Sequence, residues 1–391
     1  MVDDPFEPFL SSLRRSALVD DDGVRGILGG STAMTAGELA AEFERAGFLS
    51  VFQAEKLRVG QWNGLKLGPY ALLCPIGRGG MGIVYFCKNS RLPLSTTVPR
   101  LRALKLLSPV RATAEPRTRD RFLREMQISQ RLPKHPHLVR TVDTGNENGV
   151  LYLVMEYAEG STAKAHSRVG PVPARRACRW FADVAVALHA VHLAGYIHRD
   201  VKPSNVMIDR QGRAKLLDFG LALQRGETPP DDPSILGGRG YTLGTLDYLP
   251  PEQATNAVAV GAETDIYALG CSLYTVLAGH TPFPSGTASQ KLRWHQTDEP
   301  RSLNVLQPEC PAELASYVRY LMSKRPEDRP QQASSVAAEL ERWAMPAIPT
   351  ATRLSYDATW EQATLAHITA QWQAHRAQQP TAPRGSHSCV D

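Results

Sequence analysis

The stretch "IGRGGMGIVYF", residues 76–86, limits the fold more than any other part of this chain. It holds Gly77-x-Gly79-x-x-Gly82-x-Val84. Glycines in that spacing let a backbone approach phosphate oxygens without Cβ interference and take up positive φ. A dinucleotide-binding unit needs a strand, then the glycines, then a helix. Here the glycines lead into "IVYFCK", which is β-prone, so they form the turn of a hairpin that can lie over phosphates. Taken alone, the pattern also fits a glycine-rich hairpin with no ligand.

A second stretch, "YIHRDVKPSNVMI" at 196–208, sets Asp200, Lys202 and Asn205 between two apolar, β-prone runs. The flanking runs should form short buried strands, which hold a carboxylate, an ammonium and an amide on one rigid connection. Three further signals are weaker singly. Lys105 in "RALKLL" sits in an apolar strand, where a lysine is costly to bury unless it meets an anion. Glu125 in "FLREMQI" lies on the following helix and is a plausible partner for Lys105. Asp218, at the end of the strand in "LLDFGLA", suits a metal-chelating carboxylate at a turn, although a structural turn aspartate would look the same.

At 391 residues the chain exceeds one ordinary domain, and a two-lobed body is expected. Hydrophobic residues make up 42% and charged residues 21%, with a net charge of +5 and no clustered basic run, so nucleic-acid binding is not implied. The cysteines lack paired spacing and read as lone buried thiols of a reducing compartment. The acidic start "MVDDPFEPFL" is no secretory signal, and no apolar run is long enough to span a bilayer, so a cytoplasmic protein is expected.

Along the chain, residues 1–30 read as a disordered acidic segment and 31–65 as a helical extension. Leu39/Phe43 and Phe48/Phe52 mark two short amphipathic helices separated by Gly47. From about 66 to 157 the pattern is mainly antiparallel strand with one helix, which ends at Pro133 and Pro136. From 158 to 343 it is mainly helix. Residues 344–391 form a tail with a short helix around 354–376 and a disordered end.

Read in order, the glycine turn, Lys105, Glu125, His198-Arg199-Asp200-x-Lys202-x-x-Asn205, Asp218-Phe219-Gly220 and Pro250-Pro251-Glu252 resemble the eukaryotic-type serine/threonine protein kinase family, and most closely its bacterial members. The resemblance covers about 66–343. It implies an α+β, bilobal fold with a small antiparallel sheet lobe (66–157) and a larger helical lobe (158–343). It also implies ATP and Mg²⁺ as cofactors and protein substrates bearing serine or threonine.

By that resemblance Asp200 takes the proton of the substrate hydroxyl, and Lys202 neutralises charge on the transferring group. Asn205 and Asp218 supply oxygen ligands to Mg²⁺. Lys105, oriented by Glu125, holds the α- and β-phosphates. Nucleotide contacts are expected from Ile76, Gly77, Arg78, Gly79, Gly80, Met81, Gly82, Ile83 and Val84. Ala103 and Met207 complete the adenine slot, with Met155 as gatekeeper and the backbone of Glu156 and Ala158 pairing with the base. The segment "GTLDYLPPEQ" resembles the part that receives a protein substrate, with Thr245 near Asp200. Glu252 is expected to pair with Arg329, and Asp265 to brace the catalytic-loop backbone.

Departures from the family pattern are few. Arg102-Ala103-Leu104-Lys105 stands where the family usually reads Val-Ala-Ile-Lys, and strand alternation is expected to point Arg102 outward. Ser129 stands where a larger apolar residue is common, and Pro250 where alanine is common. His135/His137 and His189/His192 read as turn and core residues, not as metal ligands. Arg199 is the expected receiver of a phosphate from the activation segment 218–252, with Thr242 as the autophosphorylation site and self-association as its means. The alternatives are a kinase-fold scaffold without turnover, against which Lys105, Asp200, Asn205 and Asp218 all stand, and a small-molecule phosphotransferase, disfavoured by residues 244–253.

Overall fold

The computed structural model describes residues 6–79, 81–93, 98–227, 243–255, 261–344 and 358–377. The chain divides into two compact units. The first comprises residues 1–116, 142–157 and 351–391, and the second 117–141 and 158–350.

The first unit opens with four helices, α1 (Glu7–Ser16), α2 (Asp21–Gly30), α3 (Ala36–Arg45) and α4 (Val51–Arg58). The first two correct the expectation of disorder over 1–30 for its described residues, while 1–5 lie outside them. Phe6, Phe9, Leu10 and Leu13 fall on one helical face, and Phe9, Leu10 and Leu13 are buried. Asp20 caps α2 by accepting from the Gly23 N–H at 2.8 Å. That apolar stripe outweighs the acidic and glycine-rich composition that suggested disorder. Capping boxes start α3 (Thr35 with Glu38) and α4 (Ser50 with Gln53).

Six strands follow: β1 (Lys66–Leu67), β2 (Tyr70–Arg78), β3 (Gly82–Asn89), β4 (Leu101–Leu107), β5 (Thr141–Glu147) and β6 (Val150–Glu156), arranged β1-β2-β3-β4-β6-β5. Asn148 and Gly149, both at positive φ, close the β5–β6 hairpin in the way an Asn-Gly turn permits. One face of the sheet packs Tyr70, Leu72, Cys87, Leu104 and Tyr152 together. Leu73, Cys74, Phe86 and Leu101 join the core built by the four helices. Both faces of β4 are therefore covered, and the outward direction expected for Arg102 does not hold. Its side chain is buried, bonds the Leu101 carbonyl at 2.8 Å, and stands opposite Glu156 in the β4–β6 register.

After the short helix α5 (Pro109–Ala114), the second unit begins with α6 (Pro116–Arg131). It continues through β7 (Ser161–Thr162), α7 (Ala163–Val169), α8 (Ala174–Leu193), β8 (Tyr196–Ile197), β9 (Val206–Ile208), β10 (Ala214–Leu216) and β11 (Leu223–Gln224). Helices α9 (Leu243–Leu246), α10 (Pro251–Thr255), α11 (Ala262–Ala278), α12 (Ala288–Thr297), α13 (Leu303–Leu306), α14 (Ala312–Leu321) and α15 (Ala333–Glu341) complete it. Its core centres on α8 and α11, with Trp180, Phe181, Leu188, Ile266, Leu269 and Leu273 almost wholly enclosed. The chain then re-enters the first unit as α16 (Ala358–Ala377), a helix of 20 residues where only a short one was expected.

Five described cysteines (Cys74, Cys87, Cys178, Cys271 and Cys310) are buried free thiols. Among the described residues no helix is long and apolar enough to cross a membrane.

Candidate active site

In the second unit, β8 and β9 bracket the loop 198–205, whose last residues form a 3-10 turn at Pro203–Asn205. The loop is fixed from below by α11. Asp265, fully enclosed, accepts from the His198 N–H at 2.9 Å and the Arg199 N–H at 2.7 Å. His192 Nε2, from α8, lies 2.8 Å from the same carboxylate. Burial pushes the Asp265 carboxyl up, but the bond from His192 and the nearby backbone N–H groups outweigh it and hold its proton affinity below the usual range. Asp265 thus braces the loop as expected. His192, read as a packing residue, is the third member of that brace, and its signal lay only in being a histidine on the buried side of α8.

A second set of bonds ties the loop to the turn bearing Asp218. His198 Nδ1 receives the Asp200 N–H at 3.3 Å, so its Nε2 carries the proton donated to the Leu217 carbonyl at 3.1 Å. The Leu217 N–H donates to the Asn205 carbonyl at 2.8 Å. The Phe219 ring meets the His198 imidazole edge-on at 4.8 Å. Arg199 and Asp218 both hold left-handed backbone, at φ 64° and 63°. Non-glycine residues keep that geometry only where surroundings enforce it, and such residues concentrate at functional sites.

The polar atoms converge on one carboxylate. Lys202 Nζ donates to both oxygens of Asp200 at 2.8 Å and to Thr245 Oγ at 3.0 Å. Asn205 Nδ2 donates to the Asp200 carbonyl at 2.9 Å and to its Oδ2 at 3.0 Å. Burial raises the Asp200 carboxyl above the ordinary aspartate value; Lys202 pulls against this, and the Asp218 charge adds to it. The Asn205 amide nitrogen is spent on Asp200, and its carbonyl oxygen has the chemistry of a hard-cation ligand. That oxygen and the Asp218 carboxylate fit Mg²⁺, which takes one or two protein oxygens and completes its shell with water and phosphate. Among the described residues no cluster of three or more His, Cys, Asp or Glu side chains forms a closed metal cage.

The segment 243–255 is anchored in the same unit. Glu252 accepts from Arg329 Nη1 and Nη2 at 2.8 Å each, and Asp247 pairs with Lys291 of α12. Thr228, Ser234, Tyr241 and Thr242 lie outside the described residues.

In the first unit, the glycine turn joins β2 to β3, with the Gly79 N–H bonded to the Gly82 carbonyl at 2.9 Å. A Cβ on Gly82 would lie 1.9 Å from the Leu106 carbonyl oxygen, so only glycine fits there. Ile76, Gly77, Arg78, Gly79 and Met81 lie at the end of β2 and in the turn, while Ile83 and Val84 begin β3; Gly80 is outside the described residues. Val84 stands opposite Lys105, and Ala103 opposite Phe86 and Met155. Opposed pairs in an antiparallel ladder share a face, so Val84, Ala103 and Lys105 line one side of the sheet. Glu156 ends β6. Ala158, Met207 of β9, and the buried Glu125 of α6 belong to the second unit. The pairing of Glu125 with Lys105 remains an expectation.

A family model described as the protein kinase domain matches residues 70–340. A probable serine/threonine-protein kinase of Streptomyces coelicolor is 34% identical over 70% of this chain and 40% of its own length. The serine/threonine-protein kinase PknB of Mycolicibacterium smegmatis is 35% identical over 72% of this chain and 44% of its own. The chain thus spans less than half the length of these curated relatives. The crystal structure of the Mycobacterium tuberculosis PknI kinase domain matches 72% of this chain and 97% of that one, at 27% identity and a TM-score of 0.55.

Proposed function

This chain belongs to the protein kinase family, among the serine/threonine kinases of bacteria, and from that footing we propose that it transfers the γ-phosphoryl group of ATP to serine or threonine hydroxyls of protein substrates. The observation that carries the reading is Lys202, whose ammonium bridges the Asp200 carboxylate and the Thr245 hydroxyl. A base, a cation and a residue of the substrate-receiving segment are thereby held together before any substrate arrives.

The chain's own residues divide the work as follows. Asp200 accepts the hydroxyl proton as the new O–P bond forms and the bond to the ADP leaving group breaks. Its raised proton affinity makes it the stronger acceptor. Lys202 lies against both Asp200 oxygens and offsets negative charge as it develops. Asn205 orients Asp200 through two bonds from one nitrogen, so the base has a single geometry. The Asn205 carbonyl and Asp218 would hold Mg²⁺, which when bound neutralises phosphate oxygens.

Lys105 contacts the α- and β-phosphates with Glu125 as its orienting partner. The backbone of 77–82 covers the phosphates. Ile76, Val84, Ala103, Met155 and Met207 enclose adenine, and the backbone of Glu156 and Ala158 pairs with it. The reading extends to a cytoplasmic site of action and to self-association, with one copy phosphorylating the activation segment of another.

The test is transfer of labelled γ-phosphate from ATP and Mg²⁺ onto the chain and onto a generic basic protein, with Asp200→Asn alongside. Label on serine or threonine that disappears in the variant supports the reading. A melting temperature raised by nucleotide with no label in either protein would replace it with a nucleotide-binding scaffold.

A further inference from the structure

The first unit contains a contact that the kinase domain match does not cover. Helix α16 lies beyond residue 340, where the match ends, yet it packs on the glycine-bearing hairpin's own sheet. Glu361, in its first turn, is 5% exposed. Its two oxygens take bonds of 3.0 and 2.8 Å from Arg100, just before β4, and a 2.7 Å contact from Lys88 at the end of β3. A carboxylate this enclosed is costly unless fully paired, so two cations on one acid fix the start of α16 to one place on the sheet. Burial would raise the Glu361 carboxyl, but the Arg100 and Lys88 bonds outweigh that and hold it low.

Further along α16, Ile368 is enclosed in the core of the first unit. Trp372 then packs edge-on against Phe52 of α4 at 5.7 Å, and Phe52 meets Tyr85 of β3 at 6.1 Å with the two rings tilted.

Helix α4 completes the hold on the hairpin. Strand β1 pairs with Tyr70 and Ala71, and the Leu65 carbonyl just before it accepts from the Leu72 N–H at 2.9 Å; β1 reaches no further along this edge of β2. Ser50 Oγ and Gln53 Nε2 donate to the Leu73 and Leu72 carbonyls at 2.6 and 2.9 Å, at the first β-bulge of β2. A second bulge falls between Pro75 and Gly77. Within it Ile76 is 39% exposed, and Gly77, Arg78 and Gly79 beyond it are exposed as well. The hairpin is therefore held at its base, and its described tip residues Gly77, Arg78 and Gly79 face solvent. Phe86 of the hairpin and Leu101 of the neighbouring β4 both lie in this core, and they share a sheet face with Val84, Ala103 and Lys105.

We propose that α16 is a built-in brace that holds the β2–β3 hairpin in its nucleotide-competent arrangement, with Glu361 as its positioning residue. The inference rests on the kinase reading for its ligand, ATP. Pre-organisation of this kind acts on binding: if the competent arrangement falls to about a tenth of the population, apparent affinity falls about tenfold. The catalytic loop lies in the other unit, so chemistry on bound nucleotide should be untouched.

The experiment compares full-length wild type, Glu361→Lys, the charge exchange Lys88→Glu with Glu361→Lys, and Trp372→Ala. Each is measured for ATP affinity by calorimetry, for KM and kcat in phosphate transfer, and for amide hydrogen exchange across 70–89. The brace predicts about a five- to tenfold weaker Kd and KM for ATP in Glu361→Lys, with kcat within about twofold of wild type. It also predicts faster exchange in the hairpin and recovery in the charge exchange. If Glu361→Lys fails to fold, Trp372→Ala, which keeps the ion cluster, carries the same prediction in weaker form. Unchanged ATP affinity and exchange in folded variants would overturn the brace. Nucleotide binding that weakens as described, in a chain that transfers no phosphate, would uphold the brace and sink the kinase reading.

Discussion

Arg329 and Glu252 meet through two parallel hydrogen bonds of 2.8 Å. The guanidinium spends its other N–H groups on the carbonyls of Ser323, Glu263 and Lys324, at 2.7, 3.0 and 3.0 Å. All five donors of a fully buried arginine are thus satisfied. Arg329→Lys keeps the charge but cannot reproduce the planar fork, and it leaves carbonyls and one carboxylate oxygen unpaired. The expected loss is about 3–5 kcal/mol in urea unfolding. Adding Glu252→Gln to Arg329→Lys should cost less than the sum of the single changes, because the two residues act as one unit. Strictly additive losses would argue that they do not.

Asp265 should be the most sensitive acid of the second unit. Asp265→Asn turns an acceptor of three N–H donors into a group whose NH₂ faces one of them. We expect a loss of about 2–4 kcal/mol together with most phosphate-transfer activity, read by thermal melts and by labelled ATP. The folded Asp265 value lies below its ordinary 3.8. Its contribution is therefore present above that pH and is lost as pH falls further.

Lys202→Met should act on rate and on pH dependence together. The ammonium is the main influence lowering the Asp200 carboxyl against burial. Its removal should cut kcat about 10²–10³-fold and move the acid limb of kcat/KM to higher pH. An acid limb that stays in place while kcat falls would mean that another group controls it.

His295, almost completely enclosed, is held down to about 3 by burial and by the nearby Lys324. Between 6.5 and about 3 the unfolded chain binds a proton that the folded one does not. Stability is therefore lost as pH falls through that window, at up to about 1.4 kcal/mol per pH unit from this residue. His295→Gln should flatten that part of the stability profile, followed by denaturant unfolding at several pH values.

The candidate catalytic residues could be picked out in the sequence because they lie close together. Asp200, Lys202 and Asn205 lie within six positions, and two apolar runs mark the strands that hold them. Arg329 and Glu252 could be paired at a distance only through a family pattern. Glu361 had neither aid. Its cations stand 261 and 273 residues away, and an isolated glutamate on a helix looks like any solvated one. Arg102 misled because alternation locates the outside of a strand only when one face is exposed, and both faces of β4 are covered. In α1 the apolar stripe was present, but the acidic composition around it pointed the other way.

The buried thiols carry a consequence for handling the molecule. Cys74, Cys178 and Cys271 are pushed up to about 12 by burial, and Cys87 and Cys310 are raised as well. Because the thiolate is the reactive form, alkylating reagents at neutral pH should pass all five by while the fold is intact. With Cys389 replaced, a cysteine introduced on the exposed glycine turn would take up a fluorophore alone. The native interior thus leaves the surface open as a clean background for watching that turn move.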